Sequence, residues 1–504
     1  MKLIWLLALA ACRSAPSEQP DAGVGDAAMA DAREDHDAPP FVGPGPGILP
    51  GDPDVLILFG TVVTPDVVQE GAVVIDHGKI TCVGDCTANG ATQIQTAGII
   101  APGLIDTHNH ILFDIFDNDD WSPAQVYGDH DQWPTEPRYQ AMLDTKQCLV
   151  NDSQGKPAWC ASTPYGTSAG SLRCEVDKWG ELKGLIAGET SIVGLPGTSA
   201  GCFGSLARSI DVAQSGLGVD KIQTSALYPP SDPTGACANF ASGKTDAYLI
   251  HAGEGTDPKA QGEFAKLDAC LFTHQVAITH GTAFTAAEFM TMAMHGMKLT
   301  WSPASNVSLY GQTADIPTAL AVGVTVALAP DWSMGGSQNL LDEMRFADAW
   351  DNAHFGDQLS AQELVAMTTT NAASALALAD KLGRVAVGSY ADLVVYSGDT
   401  TKPYDAVLAA TPKEVELVMV GGAVLYGDAA FVSAGAPQPP CEMIDICGAS
   451  KFLCIAVGDT SNKLNQTYAA IKAALDKGMT DADAQTPSDG FSFAPLAPLV
   501  KCAP

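Results

Sequence analysis

The chain has 504 residues, 46% of them hydrophobic, with a formal net charge of −32, 49 glycines and only ten histidines. So long a chain exceeds what one hydrophobic core supports, which implies more than one structural unit. Its acidity excludes a nucleic-acid partner, because neutralising phosphates takes clustered Lys and Arg, and it favours solubility without dictating a fold.

In chain order, the first element is a targeting segment at residues 1–12, "MKLIWLLALAAC". Lys2 supplies a positive end, Leu3 to Ala11 a short apolar run, and Cys12 follows small residues. That run is too short to span a bilayer of ~30 Å as a helix. Leu9-Ala10-Ala11-Cys12 resembles a bacterial lipobox, which implies cleavage before Cys12 and its lipidation. An ordinary secretory signal is the alternative. Either one exports the protein, and the lipid would be its only membrane contact. Residues 13–50 contain "DAREDHDAPP" and "GPGPG" and read as a solvated tether, with His36 a bystander. The 13 cysteines leave an even twelve after Cys12, as suits a compartment where disulfides persist. Cys82 and Cys86 can pair locally; spacing does not reveal the other partners. The absence of CxxC argues against a thiolate zinc cluster.

Residues 51–102 alternate apolar runs, "VLILFG", "TVVT" and "AVVIDHGKITCVG", with glycine turns, the signature of short strands. Matching pieces, "ADLVVYSG" and "VELVMVGGAVLYG", recur within 382–432, so the two flanks are expected to close on each other as a small β-sandwich. Between them, over 103–381, strand-like runs alternate with helical stretches: "ETSIVGL", "KIQTSALY", "DAYLIHAGEG", "QVAITHG", "KLTWSPASN" and "VTVALAPD". That rhythm predicts an α/β fold, a parallel (β/α)8 TIM barrel. Residues 114–180 interrupt it with Trp121, Tyr127, Trp133, Tyr139 and Trp159, and a loop so long is a lid or a sheltering insertion. Residues 433–504 form a Cys-rich extension with a helix predicted over "NKLNQTYAAIKAALDKG", for which the sequence suggests no function.

Chemistry-bearing residues gather at the ends of the predicted strands. In "PGLIDTHNH" the spacing of His108 and His110 puts both on one side of an extended chain, with Asn109 facing away. His251 ends "AYLI", His280 ends "VAIT" and Asp331 ends "VTVALAP". A lone histidine is more often a buried residue with an internal hydrogen bond than a ligand. Five such residues at the C-terminal ends of barrel strands, where barrel enzymes build their sites, point to a metal. Imidazoles with one carboxylate suit Zn²⁺ or Fe²⁺ and leave a position for water, whose pKa falls towards ~7. Glu254, three residues past His251, suits a proton shuttle. His77, His274, His295 and His354 read as bystanders. His130, in "YGDHDQW", reads as solvated, with substrate contact the alternative.

"PGLIDTHNH", "HAGEG", "THG", "SPASN" followed by "YG", "VALAPD" and "LGRVAVGSYADLVV" together resemble the metal-dependent amidohydrolase superfamily, of the deaminase and chlorohydrolase type, over about 54–427. The resemblance implies a (β/α)8 barrel with a β-sandwich assembled from both flanks. By position, His108 and His110 match strand-one metal ligands, His251 the strand-five ligand and Asp331 the strand-eight carboxylate. His280 matches the strand-six histidine that holds the attacking water in members with one metal. "HAGE" is similar to adenosine and cytosine deaminase relatives, in which the glutamate carries protons. "SPASN" is similar to a deaminase segment and makes Asn306 a substrate-binding candidate. "APDW" replaces the usual "GTD", and "HNHILFD" lacks a polar residue common after the second histidine; both departures bear on substrate. Lys221 is the only lysine near strand four that could serve, once carboxylated, in a two-metal site. The expectation is therefore an exported hydrolase with one divalent metal, acting on a carbon–nitrogen bond of a small cyclic amidine, amide or nucleobase-like molecule, foremost as a deaminase. Asp331, His280 and Glu254 would be its catalytic groups. The alternatives are hydrolysis of an imidazolone-like ring or a dipeptide, and a surface lipoprotein that binds a ligand without turnover.

Overall fold

The computed structural model describes residues 46–64, 67–197, 201–212, 215–218, 221–225, 228–434, 441–456, 465–486 and 490–502. Cys12, His36, the targeting segment and nearly all of the tether lie outside the described residues.

The two flanks share one ten-stranded sheet. Its seam pairs Leu393–Tyr396 antiparallel with Ala91–Pro102, Val394 standing opposite Ala101. The hairpin from Val68–Asp76 to Lys79–Gly84 turns through His77 and Gly78, both at positive φ, which matches the twist of the flanking strands. Three expectations are corrected here. "VLILFG" and "TVVT" belong to one strand, Asp52–Val63. Gly47–Leu49, expected in the tether, pairs with the sheet. The hairpin of Glu442–Ile446 and Ala449–Leu453, expected in a separate extension, continues the sheet beside Ala423–Asp428.

Between the flanks the described residues form eight short strands: β1 (Leu104–Asp106), β2 (Glu189–Ile192), β3 (Arg208–Ser209), β4 (Ile222–Ser225), β5 (Ala247–Ala252), β6 (Val276–His280), β7 (Lys298–Trp301) and β8 (Thr325–Leu328). They form two parallel sheets, β1-β2-β3 and β4-β5-β6-β7-β8. Every residue of β5 and β6 is buried, as a strand covered on both faces requires. Beyond β8 the chain returns to β1: Asp331 N donates to His108 O at 3.1 Å, and His110 N donates to Asp331 O at 2.6 Å. The alternating order and this junction are those of a TIM-barrel-like α/β domain. From β3, Arg208 reaches the flank sheet, its Nε and Nη2 donating to Asp392 at 2.7 and 2.8 Å.

The insertion after β1 leads into α1 (Arg173–Leu185), all of whose residues from Glu175 onward are buried. α2 (Pro303–Tyr310) follows β7 directly. In the tail, α3 (Tyr468–Asp483) starts later than predicted because Thr467 caps it, accepting from Ala470 N at 3.1 Å. This helix lies on the insertion: Tyr468 stacks on Trp179 and Tyr165 donates to Asp481 at 2.6 Å. Lys501 pairs with Asp117 at 3.1 Å. Cys82–Cys86 pair as expected, and Cys148–Cys160, Cys174–Cys202, Cys237–Cys270, Cys441–Cys454 and Cys447–Cys502 take up the other ten cysteines after Cys12. Among the described residues no helix is long and apolar enough to cross a membrane.

Candidate metal centre

β1 ends at Asp106, so the alternation of an extended strand is not what aims His108 and His110. The Asp106 carboxylate does it, accepting from His108 N and from the Asn109 side chain, each at 2.9 Å. Asn109 is thereby turned away from the two imidazoles. His251 is the penultimate residue of β5 and His280 the last of β6. His280 and Asp331 adopt φ of 74° and 72°. Left-handed backbone at non-glycine residues costs on the order of 1–3 kcal/mol and persists where the surroundings over-determine it, typically at functional sites.

These elements bring the five predicted residues together. The His108 ring lies 5.1, 4.6 and 5.4 Å from those of His110, His251 and His280. Asp331 Oδ1 is 2.9 Å from His108 Nε2 and 3.4 Å from His110 Nε2. Two overlapping groups, His108/His110/His251 and His108/His280/Asp331, each offer ligand atoms within 4.8 Å of one another. Burial holds the imidazoles neutral, pulling His108 and His110 down to about 3 and His280 well below its ordinary value. It raises Asp331, whose Oδ2 accepts from Ser305 Oγ at 2.5 Å. His108 Nε2 and Asp331 Oδ1 are both buried without a hydrogen bond. Leaving such atoms unpaired is costly, and a shared cation satisfies both, so the residues present fit a divalent metal.

Glu254 sits on the turn leaving β5, where Gly253 at φ 70° is required: a Cβ there would come within 2.4 Å of the Phe284 ring. Its Oε1 accepts from the Tyr310 hydroxyl at 2.6 Å, and that hydroxyl accepts from Trp133 Nε1 at 3.0 Å. Its Oε2 has no hydrogen bond and lies 3.8 Å from His280 Nε2. Burial pushes the Glu254 carboxyl up to about 7, against the lowering influence of His130.

The expectations for Asn306 and His130 do not hold, and the two-metal candidate Lys221 lies away from the site. Asn306 does not line the cavity; it is fully buried on α2 behind His280 and donates from Nδ2 to His280 Nδ1 at 2.9 Å, which leaves the ring proton on Nε2 towards Glu254. Lys221 precedes β4, at the end of that strand away from the site, and pairs with Asp246 at 3.3 Å. His130 is not solvated but buried, because Glu263 Oε1 takes its Nε2 at 2.8 Å.

The cavity over the site holds about 720 Å³. Phe113, Trp133, Tyr139 and Trp332, packed on one another, line it together with Lys146 and Arg173. Trp332, the last residue of "APDW", packs 5.5 Å from His110 and 5.2 Å from Trp133. Tyr310 was legible in principle: it stands four residues after Asn306 on α2, one turn along the same face.

The Amidohydrolase family model matches residues 235–425, a span that contains His251, Glu254, His280 and Asp331 and excludes His108 and His110. The 5-methylthioadenosine/S-adenosylhomocysteine deaminase of Halobacterium salinarum is 27% identical over 403 residues, covering 73% of this chain and 91% of the relative. The 5'-deoxyadenosine deaminase of Methanosarcina mazei is 24% identical, covering 74% and 93%. Among solved structures, an adenosine deaminase from Xanthomonas campestris with bound zinc superimposes with a TM-score of 0.57 at 17% identity, covering 74% of this chain and 93% of that one. An atrazine chlorohydrolase from Arthrobacter aurescens TC1 complexed with zinc gives 0.54 at 17% identity, covering 73% and 95%. Both likenesses are of fold. With an amidohydrolase match and deaminase relatives, the chain is an enzyme that hydrolyses carbon–nitrogen bonds of a small molecule.

Proposed function

We propose that the protein is an exported aminohydrolase with one zinc ion, releasing ammonia from a nucleoside-type heteroaromatic amidine. The observation that carries this is the placement of Glu254: its free Oε2 faces His280 across the same buried cavity as the orphaned His108 Nε2 and Asp331 Oδ1.

His108, His110, His251 and Asp331 would hold the zinc, which supplies Lewis acidity and makes hydroxide available near neutral pH. His280, fixed by Asn306, orients the attacking water through Nε2, and Asp331 takes its proton. Glu254 protonates the ring nitrogen beside the reacting carbon, the proton held by Asp331 passes to the departing amine, and the hydroxyl proton of the adduct returns to Glu254 as the carbonyl forms, so that ammonia leaves neutral. Tyr310, itself held by Trp133, fixes the Glu254 carboxyl for both transfers. Phe113, Trp133, Tyr139 and Trp332 exclude bulk water and offer faces on which a flat ring stacks. The names of the relatives make 5'-substituted adenosines the first substrates to try.

The wider organisation belongs to the same proposal. Residues 103–381 are read as a closed (β/α)8 barrel, and the flanks as its composite β-sandwich. Twelve cysteines joined in six disulfides support an oxidising compartment, reached through the signal that ends at Cys12, the lipidated residue.

The test is zinc reconstitution followed by elemental analysis and a panel of adenosine, 5'-methylthioadenosine, cytosine, amides, lactams and dipeptides. One metal per chain with ammonia released from a nucleoside is the expected result. Amide or lactam cleavage without ammonia release would shift the assignment to imidazolone-like ring or dipeptide hydrolysis. Ligand binding without any turnover would leave a surface binding lipoprotein.

A further inference from the structure

We propose that His130 is a substrate-binding residue, whose Nδ1 Glu263 sets in the cavity to hydrogen-bond a hydroxyl of the substrate remote from the reacting carbon. This deepens the nucleoside assignment and rests on it. The partner is a sugar hydroxyl, which donates to Nδ1 of the neutral ring and accepts from that of the charged one.

The loop carrying His130 comes from the insertion, yet it is fastened to the turn that carries Glu254. Gly128 O accepts from Thr256 N at 2.7 Å and from Asp257 N at 3.1 Å, and Asp129 bridges to Gly255. Gly255 stands at φ 141°, and a Cβ there would lie 2.3 Å from Gly128 O, so only glycine allows the two loops to meet. Lys259 clasps the same loop through Asp129, at 3.2 Å, and Asp131.

Within that clasp the His130 ring is fixed on two sides. Its face lies against Tyr228, the ring centroids 4.7 Å apart, and the Tyr228 hydroxyl donates to Asp131. Its Nε2 meets Glu263 Oε1 at 2.8 Å, while Glu263 Oε2 accepts from Gly253 N at 2.9 Å. One buried carboxylate therefore holds both His130 and the residue preceding Glu254. A carboxylate only accepts, so Nε2 is the protonated nitrogen facing Glu263.

Nδ1 is then the atom left for a ligand. Its nearest carboxylate, Asp131 Oδ1, is 3.7 Å away, beyond hydrogen-bond range, and His130 lines the same cavity as His251, Glu254 and His280. Burial opposes charge on His130, but the Glu263 bond and the negative charges of Glu254, Glu263 and Asp131 outweigh it and raise its pKa. Nδ1 therefore accepts in the neutral ring, and the charged form, in which it donates, is more accessible than in a free histidine. Neither metal binding nor proton shuttling uses this residue, whereas a ring fixed at its Nε2 edge and one face, with Nδ1 left over, is what recognition of a remote hydroxyl needs.

The test compares wild type with His130→Ala, His130→Asn and His130→Gln, all zinc-loaded, on 5'-methylthioadenosine. Asparagine places its amide where Nδ1 stands; glutamine places its amide where Nε2 stands and keeps the Glu263 bond. Contact with an unreacting part of the substrate predicts that Ala raises KM about 10-fold or more with kcat within about 3-fold. Asn should recover most of that loss and Gln little. A Gln variant that behaves as wild type, with Asn no better than Ala, would reduce His130 to a loop prop and overturn the proposal, as would an unchanged KM in all three. Titration with 9-ribosylpurine, which has no amine to release, gives the same ranking in Kd if the proposal holds. That binding measurement separates the two ideas: wild type releasing no ammonia defeats the deaminase assignment, while equal Kd in all four proteins defeats His130 alone.

Discussion

Replacing Glu254 by glutamine is the most informative single perturbation, because the structure predicts opposite effects on activity and stability. Glutamine keeps an oxygen to accept from Tyr310, so the Trp133–Tyr310 chain survives, but it cannot accept and return a proton. General acid–base groups contribute about 10²–10⁴-fold, roughly 3–5 kcal/mol of barrier, and kcat for ammonia release should fall by that factor. Stability moves the other way. Burial raises the Glu254 pKa from 4.5 to about 7, so the ionised carboxyl opposes folding of the metal-free protein. That penalty is absent below pH 4.5, grows between 4.5 and 7 and is complete above 7, where it reaches roughly 3 kcal/mol at most. At pH 8 the metal-free Gln variant should therefore melt no lower than wild type, and at pH 4 the two should converge. Stopped-time ammonia assays, elemental analysis and calorimetry on the same samples check all three quantities. A kcat within 10-fold of wild type at full metal content would refute the shuttle. A lower Tm at pH 8 would refute the account of its burial.

Tyr310→Phe removes a hydrogen bond that favours ionised Glu254, so the alkaline limb of kcat/KM, which falls as the proton-donating Glu254 ionises, should move to higher pH; an unmoved limb counts against Glu254 as its source. Asp392→Ala leaves Arg208 buried without its carboxylate, and denaturant titration should register a loss of about 3–5 kcal/mol, with a loss below 1 sinking the view that this pair couples β3 to the flank sheet. Opening Cys447–Cys502 by a double serine substitution frees a link across 55 residues, for which chain entropy alone predicts a loss of about 4 kcal/mol; an unchanged Tm would mean the tail is held by its other contacts. His108→Ala removes the residue common to both ligand groups, and metal content after reconstitution should fall well below one per chain.

The strand-end histidines and Asp331 were legible because each closes an apolar run, and a strand that is buried along its length announces where it stops. β3 was not, since two residues, Arg208 and Ser209, carry no period at all. Asn306 was given the wrong neighbour: sequence places it after β7 but does not reveal that α2 starts at once and turns it onto His280. His130 was misread because its burial depends on Glu263, 133 residues away, and no local pattern encodes such a pairing. Trp332 appeared only as an irregularity in a motif, and its packing on His110 and Trp133 gives that irregularity a physical meaning.

The insertion has a consequence for how such a protein can change. The groups to which the proposed mechanism assigns the reaction stand at or just beyond the ends of parallel strands, while Trp133, Tyr139, Lys146 and His130, which line the cavity, come from one contiguous stretch with its own disulfide, Cys148–Cys160. α3 and Lys501 brace that stretch from outside without approaching the metal centre. Apart from Trp133, which holds Tyr310 and through it Glu254, substitutions in it can redraw the molecule's preference for one substrate over another while the strand ends stay as they are. Selectivity and chemistry are thus largely separable within one chain, and a search for altered specificity has 67 adjoining positions, from 114 to 180, in which to begin.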